Sequence, residues 1–144
     1  MFKTASWLKN NLNNPNIKIV DASWYLPNSS RNNIKEYRLA HIPGAVFFDI
    51  DKICAQNCNL PHMMPSKKFF EYQVSKLGIN KKNLIIVYCK EGIMSSPRVW
   101  WTFKYFGHKN IFVLDGGFRA WQMINGKIVG RKKAKNEKSF YKCN

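Results

Sequence analysis

A chain of 144 residues that is 45% hydrophobic has the length for one ordinary core and no room for two domains of usual size. Its formal charge of +16 invites a nucleic-acid or anionic-surface role, but lysine far outnumbers arginine and is spread with asparagine and isoleucine along the whole chain, as a compositional bias would spread it. No apolar run reaches membrane-spanning or secretory-leader length, so the expectation is a soluble, cytoplasmic protein with no specific nucleic-acid partner and no membrane attachment.

In chain order, Thr4 to Leu12 reads as a first helix with Trp7, Leu8 and Leu12 on one face, and Ile17 to Val20 as a strand ending at Asp21. Asn32 to Ala40 reads as helix, followed by the turn His41-Ile42-Pro43-Gly44 and a short strand from Ala45 to Phe48. Residues 51–65 make a long loop. Ser66 then caps a helix bearing Phe69, Phe70, Val74 and Leu77 and stopped by Gly78. The apolar run Leu84 to Tyr88 is a strand, Pro97 to Phe106 a helix ended by Gly107, Ile111 to Leu114 a strand, and Phe118 to Ile124 a helix preceded by the tight turn Asp115-Gly116-Gly117. Trp100, Trp101, Phe103 and Trp121 read as core. Strands that alternate with helices and are nearly continuously apolar indicate an α/β fold, a mainly parallel sheet covered on both faces, with ligands at the carboxyl ends of the strands.

Cys89 stands at such an end, between the strand 84–88 and a short loop, Lys90 to Ser95. Ser96 reads as the N-cap and Pro97 as the first residue of the next helix, so the loop amides are expected to turn inward above a helix N-terminus. A thiol held by amide donors and the helix dipole favours the thiolate, the nucleophilic form. Cys54, Cys58, Cys89 and Cys143 show no disulfide-framework spacing and are expected reduced. Cys54, Cys58 and His62 recur at four-residue spacing without a fourth ligand nearby, so no metal is assigned. Arg31, Arg38 and Arg98 could reach an anion, although pairing with Glu36 or Glu91 is the commoner fate of such arginines; His41 and Asp21 read as structural.

Four motifs in order, Val20-Asp21-Ala22-Ser23-Trp24, Glu36-Tyr37 with His41-Ile42-Pro43-Gly44-Ala45, Val87-Tyr88-Cys89-Lys90-Glu91-Gly92-Ile93, and Leu114-Asp115-Gly116-Gly117-Phe118-Arg119-Ala120-Trp121, together resemble the rhodanese sulfurtransferases. The resemblance implies a rhodanese-like domain over residues 4–125, with about five strands, and a basic tail, linker-like or disordered, over 126–144. Asp21 to Pro27 and Pro97 to Trp101 with Phe106-Gly107-His108 resemble the N-terminal domain of two-domain thiosulfate and 3-mercaptopyruvate sulfurtransferases. That domain usually carries Asp where Cys89 stands; here Cys89 to Met94 is similar to the active-site loop of the catalytic domain.

The resemblance implies a catalytic Cys89 that takes sulfur from thiosulfate or 3-mercaptopyruvate as a persulfide and passes it to a thiol or cyanide, with no cofactor. Lys90, Glu91, Gly92, Ile93, Met94 and Ser95 would bind the small anionic donor. Lys90 would pair with its sulfonate, Glu91 would repel a dianion, and Met94 replaces a hydroxyl donor. An alternative from another class is a catalytically idle domain that acts in binding or structure, one half of a split or truncated two-domain enzyme, with a second rhodanese domain as partner. A Cys-dependent phosphatase would need Arg after a five-residue spacer, and Arg98 comes too late.

Overall fold

The computed structural model describes residues 1–130 and 139–144. The elements run β1 (Phe2–Lys3), α1 (Ala5–Asn11), β2 (Ile17–Asp21), α2 (Asn33–Leu39), β3 (Val46–Phe47), α3 (Lys67–Lys76), β4 (Leu84–Tyr88), α4 (Ser96–Tyr105), β5 (Ile111–Leu114) and α5 (Gly117–Met123). The five strands form one sheet in the order β1-β5-β4-β2-β3, and every strand pair is parallel. The expected strands and helices are present to within one or two residues at each end; β1, with only two residues, has no periodicity for a sequence to display.

Local chemistry explains the boundaries. Thr4 caps α1 by accepting from the Trp7 amide at 3.1 Å, and Ser66 caps α3 by accepting from the Phe69 amide at 3.4 Å. The central strand β4 is buried on both faces and divides its side chains by period two: Ile85 and Val87 join Phe70, Val74, Val99 and Phe103 on the side of α3 and α4, while Ile86 and Tyr88 join Leu8, Phe118 and Trp121 on the side of α1 and α5. Of the aromatic group assigned to the core, Trp121 and Phe103 are fully buried and Trp100 partly, but Trp101 is 48% exposed and its ring meets that of Tyr105 at a tilt on the surface. It lies on the outer face of α4, which the run of adjacent aromatics does not reveal.

The reading of 126–144 as linker-like or disordered does not describe the packed parts of that segment. Residues 126–130 fold back over Trp121, whose indole donates to the Lys127 carbonyl at 2.9 Å, and Val129 forms an antiparallel bridge with His41. Tyr141 and Cys143 are buried in the core beside α3 and α4. The Tyr141 ring stacks on His108 and meets Phe70 and Phe103 edge-on, its amide donates to the Ser75 hydroxyl at 2.8 Å, and the Cys143 amide donates to Glu71 at 2.6 Å. Burial pushes the Cys143 thiol up to about 11, so it is an inert core residue. The basic run 131–135 lies outside the described residues.

Two outcomes follow from the packing of Tyr141 and His108. Tyr141→Ala lowers the unfolding free energy by about 3–4 kcal/mol through the cavity it leaves, and Tyr141→Phe by about 1 kcal/mol, both read from urea midpoints. Burial holds the His108 imidazole below its usual 6.5, with Nε2 facing the Asn83 carbonyl at 3.0 Å. The unfolded chain is therefore protonated first as pH falls through 6.5, and stability is lost from that pH downward. His108→Gln flattens the decline measured between about pH 7.5 and about pH 5.5, by at most about 1.4 kcal/mol per pH unit.

Candidate active site

Strand β4 lies between β2 and β5, and the chain leaves β2 toward β3 on the other side, so the carboxyl ends of β2 and β4 border the crevice where α/β sheets bind ligands. Cys89 emerges there with its backbone held on both sides. The Tyr88 carbonyl accepts from the Ala22 amide at 2.8 Å, the Cys89 carbonyl from the Phe118 amide at 3.0 Å, and the Lys90 amide donates to the Ser23 hydroxyl at 2.9 Å. That hydroxyl in turn donates to Asp21 Oδ1 at 2.5 Å, which also accepts from the Ser23 amide at 2.9 Å. Asp21 is fully buried; burial pushes its carboxyl up, against the hydrogen bonds from Ser23 and the charge of Lys90. The start of α5 closes the loop from beside it: a Cβ on Gly117 would stand 2.1 Å from the Gly92 carbonyl oxygen and 2.7 Å from that of Cys89, so only glycine fits.

Cys89 is 2% exposed, and the hydrogen-bond partners of its Sγ are the carbonyl oxygens of Glu91 at 3.3 Å and Gly92 at 3.5 Å. The expectation that loop amides converge on the sulfur is therefore not met in this conformation, in which the thiol is the donor. The cap is also shifted. Ser95, not Ser96, is the residue before α4, and it makes no side-chain cap because its hydroxyl donates to the Ala22 carbonyl at 2.6 Å; Ser96 Oγ is buried without a hydrogen-bond partner among the described residues.

The remaining loop side chains separate. Lys90 does not face outward toward a sulfonate: its ammonium donates to the Ala40 carbonyl at the end of α2 and lies 3.6 Å from the centre of the Phe118 ring. Burial lowers its pKa, opposed by Asp21 and Glu36. Glu91 does not stand as a bare repelling charge either, because its carboxylate pairs with Arg31. Gly92 has φ +53°, and Ile93 and Met94 are exposed.

A cavity of about 400 Å³ opens beside the loop, with Met94, Ser95, Trp24, Leu26, Ile50, His62 and Arg98 on its walls. Asp51 organises one side of it. Its Oδ1 accepts from Trp24 Nε1 at 2.9 Å and lies 2.6 Å from His62 Nε2, and the Trp24 and His62 rings meet edge-on at 5.2 Å. The Arg98 guanidinium donates to the His62 carbonyl. His62 is thus engaged with Asp51, Cys54 Sγ faces the Asp51 carbonyl at 3.1 Å, and no group of three or more metal-ligating side chains occurs among the described residues. All four cysteines are free thiols.

The family model for the rhodanese-like domain matches residues 4–124. The chain belongs to the rhodanese-like domain family. Over 119 residues it is 49% identical to a protein of Arabidopsis thaliana named thiosulfate/3-mercaptopyruvate sulfurtransferase 1, mitochondrial, covering 83% of this chain and 31% of that protein. It is 38% identical to rat 3-mercaptopyruvate sulfurtransferase, covering 95% of this chain and 48% of the relative. The crystal structure of SseA from Escherichia coli, described as showing the rhodanese fold and catalytic mechanism of 3-mercaptopyruvate sulfotransferases, superposes with a TM-score of 0.90 at 35% identity, over 99% of this chain and 54% of that one. This rhodanese domain thus spans half or less of the length of the curated relatives named here, in the region of their N-terminal domain.

Sequence reasoning placed Cys89 and its loop but did not find the tether from Asp21 through Ser23 to Lys90, nor the Asp51, His62 and Trp24 cluster. A signal for the first existed in the Asp21-Ala22-Ser23 spacing, since an Asp oxygen readily accepts from the amide two residues on. Nothing in the spacing of residues 24, 51 and 62 announces the second. Ser23→Ala removes the acceptor of the Lys90 amide and one donor to buried Asp21, so this rhodanese domain should lose about 1–3 kcal/mol of stability. The Lys90 amide should also exchange with solvent faster than in the parent, as followed by hydrogen exchange.

Proposed function

We propose that this rhodanese domain is a sulfurtransferase that carries sulfane sulfur as a persulfide on Cys89. The observation that supports it best is a free cysteine at the carboxyl end of the central strand, its flanking peptide groups tied down, in a domain whose relatives at 38–49% identity are named thiosulfate/3-mercaptopyruvate or 3-mercaptopyruvate sulfurtransferases. With thiosulfate, the Cys89 thiolate attacks the outer sulfur, the S–S bond breaks, and sulfite leaves with the electron pair. With 3-mercaptopyruvate the C–S bond breaks and the enolate of pyruvate leaves, taking its proton from water. A thiolate or cyanide acceptor then attacks the outer sulfur of the persulfide, and the Cys89 thiolate is the leaving group. No cofactor enters any step.

Met94 and Ser95 join the loop to the neighbouring cavity, whose wall carries Arg98, a cation for which a small anion would compete with the His62 carbonyl. Leu26 and Met94, 60% and 56% exposed, lie at that cavity and give it an apolar rim, which supports a second rhodanese domain as the partner that covers it. The four reduced thiols support a cytoplasmic location. No helix among the described residues is long and apolar enough to cross a membrane.

Intact-mass spectrometry after incubation with thiosulfate, and separately with 3-mercaptopyruvate, tests the assignment. One added sulfur atom on the wild type and none on Cys89→Ser is the expected result. Absence of the adduct on the wild type with both donors would reject the persulfide and favour the idle half-enzyme, for which the carbonyl-facing thiol is the structural argument.

A further inference from the structure

Glu91 has two attachments that point in different directions. Its carbonyl oxygen lies 3.3 Å from Cys89 Sγ, and its carboxylate pairs with Arg31. Arg31 is itself held from two further elements: Nε and Nη2 donate to Glu36 Oε1 at 3.2 and 2.8 Å, and the guanidinium lies 4.0 Å from the centre of the Tyr25 ring. Burial, the largest single influence, would raise the Glu36 carboxyl, and the hydrogen bonds from Arg31 and Tyr25 together with the charges of Arg31 and Lys90 hold that group below its usual value. Arg31 is thus anchored to α2, and Glu91 is the movable member of the trio. Next to it, Gly92 sits at φ +53°, a residue that occupies either sign of φ at little cost.

We propose that the Arg31–Glu91 pair is a latch on the Cys89 loop. While it is closed, Glu91 occupies the guanidinium as an internal anion, and the carbonyls of Glu91 and Gly92 are held toward the thiol. An oxyanion that competes for Arg31 releases Glu91, and the peptide groups around Gly92 then turn their N–H groups toward the sulfur, which favours the thiolate. Both side chains are partly solvated, 34% and 52% exposed, so the pair is weak enough for salt or a small dianion to open. That the natural dianion is a sulfur donor rests on the sulfurtransferase reading; the latch itself does not.

The test is the rate of Cys89 alkylation by iodoacetamide, followed peptide by peptide because Cys58 is also exposed. Glu91→Gln and Arg31→Gln both open the latch, and each is expected to speed alkylation roughly two- to fivefold. Through-space electrostatics alone predicts opposite signs, since losing Arg31 would make the thiolate less favourable. Slower or unchanged alkylation of Arg31→Gln would therefore overturn the proposal. The wild type needs no variant: at equal ionic strength, sodium sulfate should accelerate its alkylation more than sodium chloride, with no such difference in Arg31→Gln. Equal effects of the two salts on the wild type would also reject it. Should these responses appear while no persulfide forms, the latch stands and the donor assignment falls.

Discussion

The backbone around Cys89 is fixed from three directions, and the rest of the site depends on that. Tyr88 is tied to the segment after β2, Cys89 to the start of α5, and Lys90 to the buried pair of Ser23 and Asp21. These anchors come from parts of the chain that meet only because β4 is the middle strand of a parallel sheet. The nucleophile candidate is thereby placed by the fold itself, while residues 91–94 remain at the surface. A rigid mount with an adjustable collar is a sound arrangement for a group that must change its protonation and then bear an extra atom.

Charge is distributed with the same economy. The chain carries 24 basic and only 8 acidic residues, yet Asp21, Asp49, Asp51, Glu91 and Asp115 all follow or end strands on the carboxyl side of the sheet. Glu36 joins them through Arg31. The long-range field attracts small anions. Among the described residues near Cys89, Lys90 is engaged with a carbonyl and an aromatic face, Arg31 with two carboxylates, and Arg98 with the His62 carbonyl. An incoming anion therefore meets positive potential at a distance and competition at close range.

Much of this was legible in the sequence, because it rests on local signals. The continuous apolar run at 84–88, Ser66 before α3 and the glycines at 78 and 107 each encode their element within a few residues. The site was legible as a position, a cysteine at a strand end, but not as a geometry. Which way Lys90 points depends on Ala40 and Phe118, fifty and twenty-eight positions away. Likewise the hydroxyl of Ser95 leaves its own helix for Ala22, and the Asp51, His62 and Trp24 cluster assembles across a loop of irregular backbone. The family resemblance carried the chemistry further than spacing could, yet it gave Lys90 a sulfonate to pair with, whereas its ammonium here meets the Ala40 carbonyl and the Phe118 ring.

The final residues bear on how the domain can be handled as a module. Residues 139–144 supply Tyr141 and Cys143 to the same core as Phe70, Phe103 and Phe106, beyond the 4–124 segment that the family match spans. A chimera joined at the boundary suggested by that match would leave a gap among the aromatic rings on one side of the sheet. Recombination with another domain should accordingly preserve this closing peptide, whose aromatic plug belongs to the folding unit and not to the connector.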